Sequence, residues 1–307
     1  MLPISLIQRD KPVRLIHHAA NCKHSSPPGS PAALEGCLSA GSAIVEIDVI
    51  PLADGSFALI HDRDLGVETS GSGDAIQATR KQVKKLTYKV DGEITKYKIG
   101  FLEDAIEIFA AYPDALRLQL DLKPYTPLTQ AILREFVGIL TPVLDRIQVT
   151  SVSDWAVRSL RRFSPELSLG FDPLLYLDLV DGEPRPEGIP PFRVGAFGIR
   201  DDHPLSAYKW GPMGEYFAAR AAALLVQAPE GCEWYIRAEL LGKALKAGFD
   251  WIQFLHQHDS KVDGWTIDAT NPKDIKLAET LVELGIDDLT TDTPALLAEK
   301  LGIEAIY

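Results

Sequence analysis

Short apolar runs alternate with amphipathic segments along most of the chain. Apolar, β-branched runs of about four to eight residues predict strands, and longer segments with apolar positions three or four apart predict helices. With a hairpin strand at 56–60 set aside, the predicted strands start near residues 13, 43, 116, 146, 167, 193, 262 and 287. The predicted helices cover residues 31–41, 101–112, 130–140, 154–163, 212–226, 237–247 and 272–284.

Eight strand–helix units in 307 residues predict an α/β fold, a (β/α)8 TIM barrel. An open doubly wound sheet normally has fewer strands, and neither a G-x-G-x-x-G turn nor a P-loop follows the first predicted strand. We therefore expect residues 1–307 to form a single barrel domain. Residues 62–100 are polar and rich in lysine, and we expect them to be a small insertion after strand 2, at the catalytic mouth.

The charge balance narrows the possible partners. Lys and Arg total 31 and Asp and Glu total 43, for a formal charge of −12. Such a surface repels nucleic acid, whereas a small phosphodiester substrate remains compatible because a bound metal can reverse the local charge. The absence of a signal sequence, of any long apolar run and of a cysteine framework predicts a cytoplasmic protein with reduced thiols at Cys22, Cys37 and Cys232 and no integral membrane segment. The oligomeric state stays open.

Acidic residues stand where two predicted strands end, which is the active-site end of a parallel barrel. Glu46 and Asp48 are two apart and share one face of their strand, and Asp121 occupies the neighbouring predicted strand. Converging carboxylates repel one another and need a cation or a proton. With no cysteine near them, they favour Mg²⁺ or Ca²⁺. The alternative is that Glu46 and Asp48 pair with lysines or face solvent.

Further candidates stand at other predicted strand ends. His17 and His61 are a candidate acid–base pair, because histidine titrates near neutral pH. Lys123 is a candidate phosphate contact, and His18 and Trp265 are candidate substrate contacts. Each of these residues could instead be an ordinary core or rim side chain.

The ordered set of motifs resembles the glycerophosphodiester phosphodiesterase family. That family has His-Arg after strand one, Glu-x-Asp on strand two and His-Asp after a short hairpin. This chain has LIHHAAN, IVEIDV and ALIHDRDLGVETSGSG at the corresponding places. LQLDLK resembles the family's third-strand motif, and GWTIDATNPKD with LGIDDLTTDTP resembles its last two strand ends.

The resemblance implies a role for each candidate. It implies His17 and His61 as acid and base and Lys123 as a phosphate contact. It implies a divalent metal held by Glu46, Asp48 and Asp121. It also implies an enzyme of lipid metabolism that hydrolyses glycerophosphodiesters to sn-glycerol 3-phosphate and an alcohol. A neighbouring hydroxyl would attack phosphorus first, and water would then open the cyclic phosphate.

Three departures from the family pattern leave the substrate open. His18 replaces the arginine, Asp121 replaces a glutamate, and Pro27-Pro28-Gly29-Ser30 replaces Pro-Glu-Asn-Thr. A histidine contact to phosphate predicts binding that weakens as the pH rises past roughly 6–7.

Two alternatives to this function remain. One is a lysophospholipase D or sphingomyelinase-D-like enzyme with an apolar rim at residues 171–180. The other is a non-catalytic barrel that binds a phosphorylated ligand.

Overall fold

The computed structural model describes residues 5–8, 11–21, 26–177 and 211–302. The strands are β1 Ser5–Gln8, β2 Lys11–His17, β3 Ile44–Pro51, β4 Phe57–Ala58, β5 Thr87–Val90, β6 Glu93–Lys98, β7 Arg117–Leu122, β8 Ile147–Ser151, β9 Ser168–Phe171, β10 Glu233–Arg237, β11 Val262–Trp265 and β12 Asp288–Thr291. The α-helices are α1 Pro31–Ser39, α2 Leu65–Glu68, α3 Arg80–Val83, α4 Leu102–Ala110, α5 Gln130–Leu140, α6 Asp154–Phe163, α7 Met213–Gln227, α8 Ala238–Lys246, α9 Trp251–His256, α10 Pro272–Glu283 and α11 Pro294–Lys300.

Eight of these strands form a closed parallel barrel. They follow the order β2-β12-β11-β10-β9-β8-β7-β3, and the pairing of β2 with β3 closes the ring. Helices lie between consecutive barrel strands, so the predicted (β/α)8 TIM barrel is confirmed. β1 adds to the edge of β2 in antiparallel orientation, and β4 does the same on β3.

The two faces of each barrel strand have different surroundings. Outward side chains such as Leu15 on β2 and Val45 on β3 belong to the large core between the strands and the helices. The inward Ile16 belongs to a separate small cluster with Ile44 and Tyr235. This alternation follows from the two-residue period of a strand, and it decides which side chains reach the barrel interior.

The two ends of the barrel interior are both charged. We call the C-terminal end of the strands, where Asp48, Asp121 and Asp292 stand, the mouth. We call the N-terminal end, where Arg14, Arg117 and Asp288 stand, the base. At the base Arg14 and Arg117 both bind Asp288, at 2.6 and 2.5 Å.

The sixth barrel strand is β10, not the segment near residue 193. Residues 193–199 lie outside the described residues, whereas Glu233–Arg237 pairs with both β9 and β11. We placed no strand there because only three apolar residues, Trp234, Tyr235 and Ile236, stand between charged neighbours, and a helix follows at once.

Residues 62–100 carry α2, α3 and the β5–β6 hairpin. Leu65, Val83 and Tyr88 pack with Ile50 and Ile60 in a hydrophobic cluster separate from the main core. Ile50 lies at the mouth end of β3, so the segment rests on that end of the barrel. Its definition as an insertion remains a prediction.

Two further sequence expectations concern the cysteines and the membrane. Cys37 is disulfide-bonded and Cys232 is a free, buried thiol, whereas Cys22 lies outside the described residues. The expectation of three reduced thiols is therefore wrong, and a disulfide is more typical of an oxidising compartment. Among the described residues, every helix is too short or too polar to cross a bilayer.

The expected apolar rim at residues 171–180 is described only as far as residue 177. Phe171 and Leu177 are fully buried in the main core, while Leu175 is exposed. The described part of this segment therefore packs over the barrel and offers one exposed leucine.

Candidate active site

Three carboxylates converge at the mouth. Glu46 and Asp48 lie two residues apart on β3, and Asp121 lies on β7 in register with Asp48. One oxygen of each group lies within 4.8 Å of the others. The structure thus brings together the three residues that were predicted as metal ligands.

The electrostatics of this cluster suit a cation. Burial and the neighbouring charge of Asp48 raise the pKa of Glu46 to about 8. Glu46 also accepts a hydrogen bond of 2.7 Å from the backbone N–H of Ala19. Two nearly buried carboxylates and a partly exposed third repel one another, so a hard divalent ion with oxygen ligands fits their chemistry.

Lys123 lies inside the carboxylate cluster. Its ammonium is 3.0 Å from Asp48 Oδ1 and 2.8 Å from Asp121 Oδ2. Burial would raise the pKa of Asp48, but the charges of Lys123, His61 and His18 and the hydrogen bond from Lys123 together outweigh it and lower that pKa. The predicted phosphate contact is therefore engaged with two carboxylates in this structure.

His18, rather than His17, reaches the mouth. His17 is the last residue of β2 and shares the outward face with Leu15, whereas His18 follows the inward Ile16. His17 is 2% exposed. The sequence did not distinguish these faces, because Leu15 and Ile16 are both apolar.

His18 and His61 line one cavity of about 180 Å³. Asp48 lines it too, while His17 is not among the lining residues described. The His61 ring is 57% exposed, and its Nδ1 lies 3.3 Å from Asp62 Oδ1. The mouth thus offers two imidazoles beside the carboxylate cluster.

His18 is held by a carboxylate from the eighth barrel strand. Its Nδ1 lies 2.7 Å from Oδ1 of Asp292, which follows β12. Burial alone would lower the pKa of His18, but the hydrogen bond to Asp292 and the charge of Glu46 raise it to about 9. Without a bound metal His18 therefore stays charged above pH 6–7, and the predicted pH dependence of phosphate binding remains a prediction.

Sequence reasoning missed Glu68, which lines the same cavity from α2. Its carboxylate accepts a 2.6 Å hydrogen bond from the backbone N–H of Asp62, beside His61. Burial raises the pKa of Glu68 to about 7. A carboxylate in a polar stretch after a strand carries no motif that would single it out.

Asp172 and Arg237 are two further charged residues that sequence reasoning missed. Asp172 directly follows β9, and burial raises its pKa well above the usual range. Arg237 ends β10 beside Trp265, with its guanidinium 5.0 Å from the centre of the indole ring. Trp265 packs beside Ile16, and its predicted contact with substrate remains a prediction.

Residues 23–168 match the model of the glycerophosphoryl diester phosphodiesterase family. The chain thus resembles this family over just under half of its length. Glycerophosphodiester phosphodiesterase 1 of Mus musculus is 24% identical over 183 residues, which cover 58% of this chain and 54% of the mouse protein. The protein of the same name from Rattus norvegicus matches equally. The chain thus spans about half the length of the curated relatives it matches.

Solved structures of phosphodiesterases share the fold of this chain. A phosphodiesterase of Oleispira antarctica, in complex with the product sn-glycerol-3-phosphate, has a TM-score of 0.60 and 21% identity, covering 94% of this chain and 96% of that one. A glycerophosphodiester phosphodiesterase of Parabacteroides distasonis has a TM-score of 0.63 and 19% identity, with the same coverage. At these identities the likeness establishes the barrel.

Proposed function

We propose that this protein is a member of that family, a metal-dependent phosphodiester hydrolase that cleaves glycerophosphodiesters to sn-glycerol 3-phosphate and an alcohol. The observation that carries the proposal is the convergence of Glu46, Asp48 and Asp121 beside a cavity that His18 and His61 share. The product bound to the Oleispira antarctica phosphodiesterase supports the substrate class.

Glu46, Asp48 and Asp121 would hold the metal, either Mg²⁺ or Ca²⁺. Each presents a carboxylate oxygen to the same small volume, and hard cations prefer such ligands. When bound, such a cation supplies the positive charge that a phosphodiester anion needs before a nucleophile can approach phosphorus. Lys123 adds a positive charge beside Asp48 and Asp121.

His18 and His61 would be the acid–base pair. One imidazole accepts the proton of the attacking hydroxyl, and the other donates a proton to the oxygen of the leaving alcohol. We assign to His18 the role that the resemblance implied for His17, because His18 lines the cavity and His17 packs on the outward face of β2.

With His18 in that role, Ala19 occupies the place of the family's arginine. Ala19 and Ala20 both have left-handed backbones, with φ of 48° and 49°, which is rare for residues other than glycine. This bend directs the Ala19 N–H to Glu46. The chain therefore uses this position to hold a metal ligand, and phosphate recognition falls to other groups of the mouth.

The test is turnover of glycerophosphocholine by purified protein, with Mg²⁺, with Ca²⁺ and with a chelator. We expect metal-dependent release of sn-glycerol 3-phosphate, seen by phosphorus NMR, and its loss in His18→Ala. His258→Ala, on the surface, is the matched control. Binding without turnover would instead indicate a phospholigand-binding barrel. Turnover of lysophosphatidylcholine alone would indicate a lysophospholipase D.

A further inference from the structure

The contact between His18 and Asp292 joins the first and last barrel strands across the mouth. Asp292 follows β12 two residues after Thr290 and four after Asp288, so it continues the inward face of that strand. Its Oδ1 lies 2.7 Å from His18 Nδ1. The two side chains are partly exposed, which leaves the His18 ring accessible from the cavity.

We infer that Asp292 is a positioning residue, which fixes the tautomer and the ring orientation of His18 for the reaction. The inference rests on the proposed function. When the His18 ring gives up one of its two protons, the carboxylate at Nδ1 keeps the remaining hydrogen on that nitrogen. Nε2 then remains the nitrogen that exchanges a proton with a bound substrate. The aspartate of the serine hydrolase triad acts in the same way, because it accepts a hydrogen bond from Nδ1–H of the catalytic histidine and fixes its tautomer.

Asp292 is itself held in place. The side chain of Asn21 also forms a hydrogen bond with Asp292, so the Asp292 carboxylate has two hydrogen-bond partners, His18 and Asn21. The hydrogen bond from His18 lowers the pKa of Asp292, which keeps it a carboxylate at neutral pH. Asn21, Asp292 and His18 are thus connected by consecutive side-chain hydrogen bonds.

A second histidine–aspartate pair provides an internal control. His256 Nε2 lies 2.8 Å from Asp287 Oδ2, a spacing close to that of the first pair. Asp287 directly precedes β12 and Asp292 directly follows it, so the two aspartates stand at opposite ends of one strand. The same Asp→Asn change can therefore be made at both ends.

The experiment compares Asp292→Asn with Asp287→Asn in the metal-loaded enzyme. We expect Asp292→Asn to lower kcat about 10²-fold while KM changes less than about threefold, because an amide can no longer fix the Nδ1–H tautomer. Asp292→Glu should recover part of kcat. Asp287→Asn should leave kcat unchanged in the folded enzyme. A kcat for Asp292→Asn within about threefold of wild type overturns the inference.

Two further measurements separate the inference from the proposed function. In a His18→Ala background, Asp292→Asn should cause no additional loss, since the residue it positions is gone; additive losses would contradict the positioning role. Proton NMR should show a downfield ring N–H resonance of His18 that vanishes in Asp292→Asn and persists in Asp287→Asn. If the wild type turns over no phosphodiester but shows this resonance, the proposed function fails while the contact stands. If the resonance is absent, or survives in Asp292→Asn, the inference fails.

Discussion

The base and the mouth of the barrel are both lined with charged side chains, but the charges are balanced differently. At the base, Arg14 and Arg117 bind Asp288 and Glu233, so both of these carboxylates have a cationic partner. Gln148 also accepts a hydrogen bond from Arg117 there. Most of these groups have a partner of opposite charge within the chain, as in a structural network, although Nε of Arg117 has no hydrogen-bond partner among the described residues.

At the mouth, three carboxylates share one ammonium. Lys123 binds Asp48 and Asp121, while burial and the charge of Asp48 raise the pKa of Glu46. We therefore expect the mouth to take up a cation, whereas the cations of the base already have carboxylate partners within the chain.

The larger of the two cavities lies at the base, not at the candidate active site. The cavity at the base has about 480 Å³ and the cavity between His18 and His61 has about 180 Å³. The larger one is lined by Arg117 and Glu233, whose charges already have partners. Under the proposed function, excess negative charge rather than cavity volume marks the functional end of this barrel.

The largest expected effect is loss of activity on removing a carboxylate of the mouth. Asp48→Ala or Glu46→Ala should lower kcat by at least about 10⁴-fold, roughly 5–6 kcal/mol of barrier, if both residues hold the metal. The fold should survive, and Glu46→Ala can even gain stability because it removes a repelling carboxylate. Steady-state kinetics with thermal unfolding checks both; activity that persists in either variant would remove that residue from the metal site.

Substitution of His18 should lower kcat, whereas substitution of the adjacent His17 should lower stability. His18→Ala should lower kcat by about 10²–10⁴-fold with little change in melting temperature, and so should His61→Ala. His17→Ala should lower the melting temperature and leave kcat within about threefold, because His17 is buried on the outward face. Equal kinetic losses for His17→Ala and His18→Ala would contradict this division.

At the base, the loss should be in stability. Glu233→Gln leaves Arg117 without one of its buried charge partners, which costs about 3–5 kcal/mol of the free energy of unfolding. The kcat of the folded variant should stay within about threefold of wild type. Denaturant unfolding with kinetics below the transition is the measurement, and a large drop in kcat would make the base part of the catalytic machinery.

The smallest expected effect is a pH dependence of metal stabilisation. The folded-state pKa of Glu46 is raised to about 8, so without metal its contribution to stability is present below about pH 4.5 and is lost as the pH rises through 8. A metal replaces the proton. The rise in melting temperature on adding Mg²⁺ or Ca²⁺ should therefore be larger at pH 8 than at pH 5.5, and Asp48→Asn should abolish it. A rise that is independent of pH would contradict the coupling.

Much of the fold could be predicted because β-branched runs such as Ile44–Pro51 are distinctive and bounded by turns. β10 could not be, because its apolar part is three residues long and runs directly into α8. The pattern of acids and histidines also identified the mouth. What it could not supply was the direction in which each side chain points at the end of β2.

Contacts between residues far apart in the sequence are the second feature that could not be predicted. His18 and Asp292 are 274 positions apart, and only closure of the barrel brings them together. Glu68 likewise becomes a site residue only because its segment folds back onto His61. Such pairs depend on tertiary geometry, which the local pattern of one sequence does not encode.

The central claim is that the mouth is completed by one divalent cation. The most direct test is a crystal structure of the protein soaked in Mn²⁺, with the metal located by anomalous scattering. We predict one strong peak within about 2.0–2.6 Å of oxygens of Glu46, Asp48 and Asp121, and no peak at the base. Full occupancy elsewhere with no peak among these carboxylates would contradict the account.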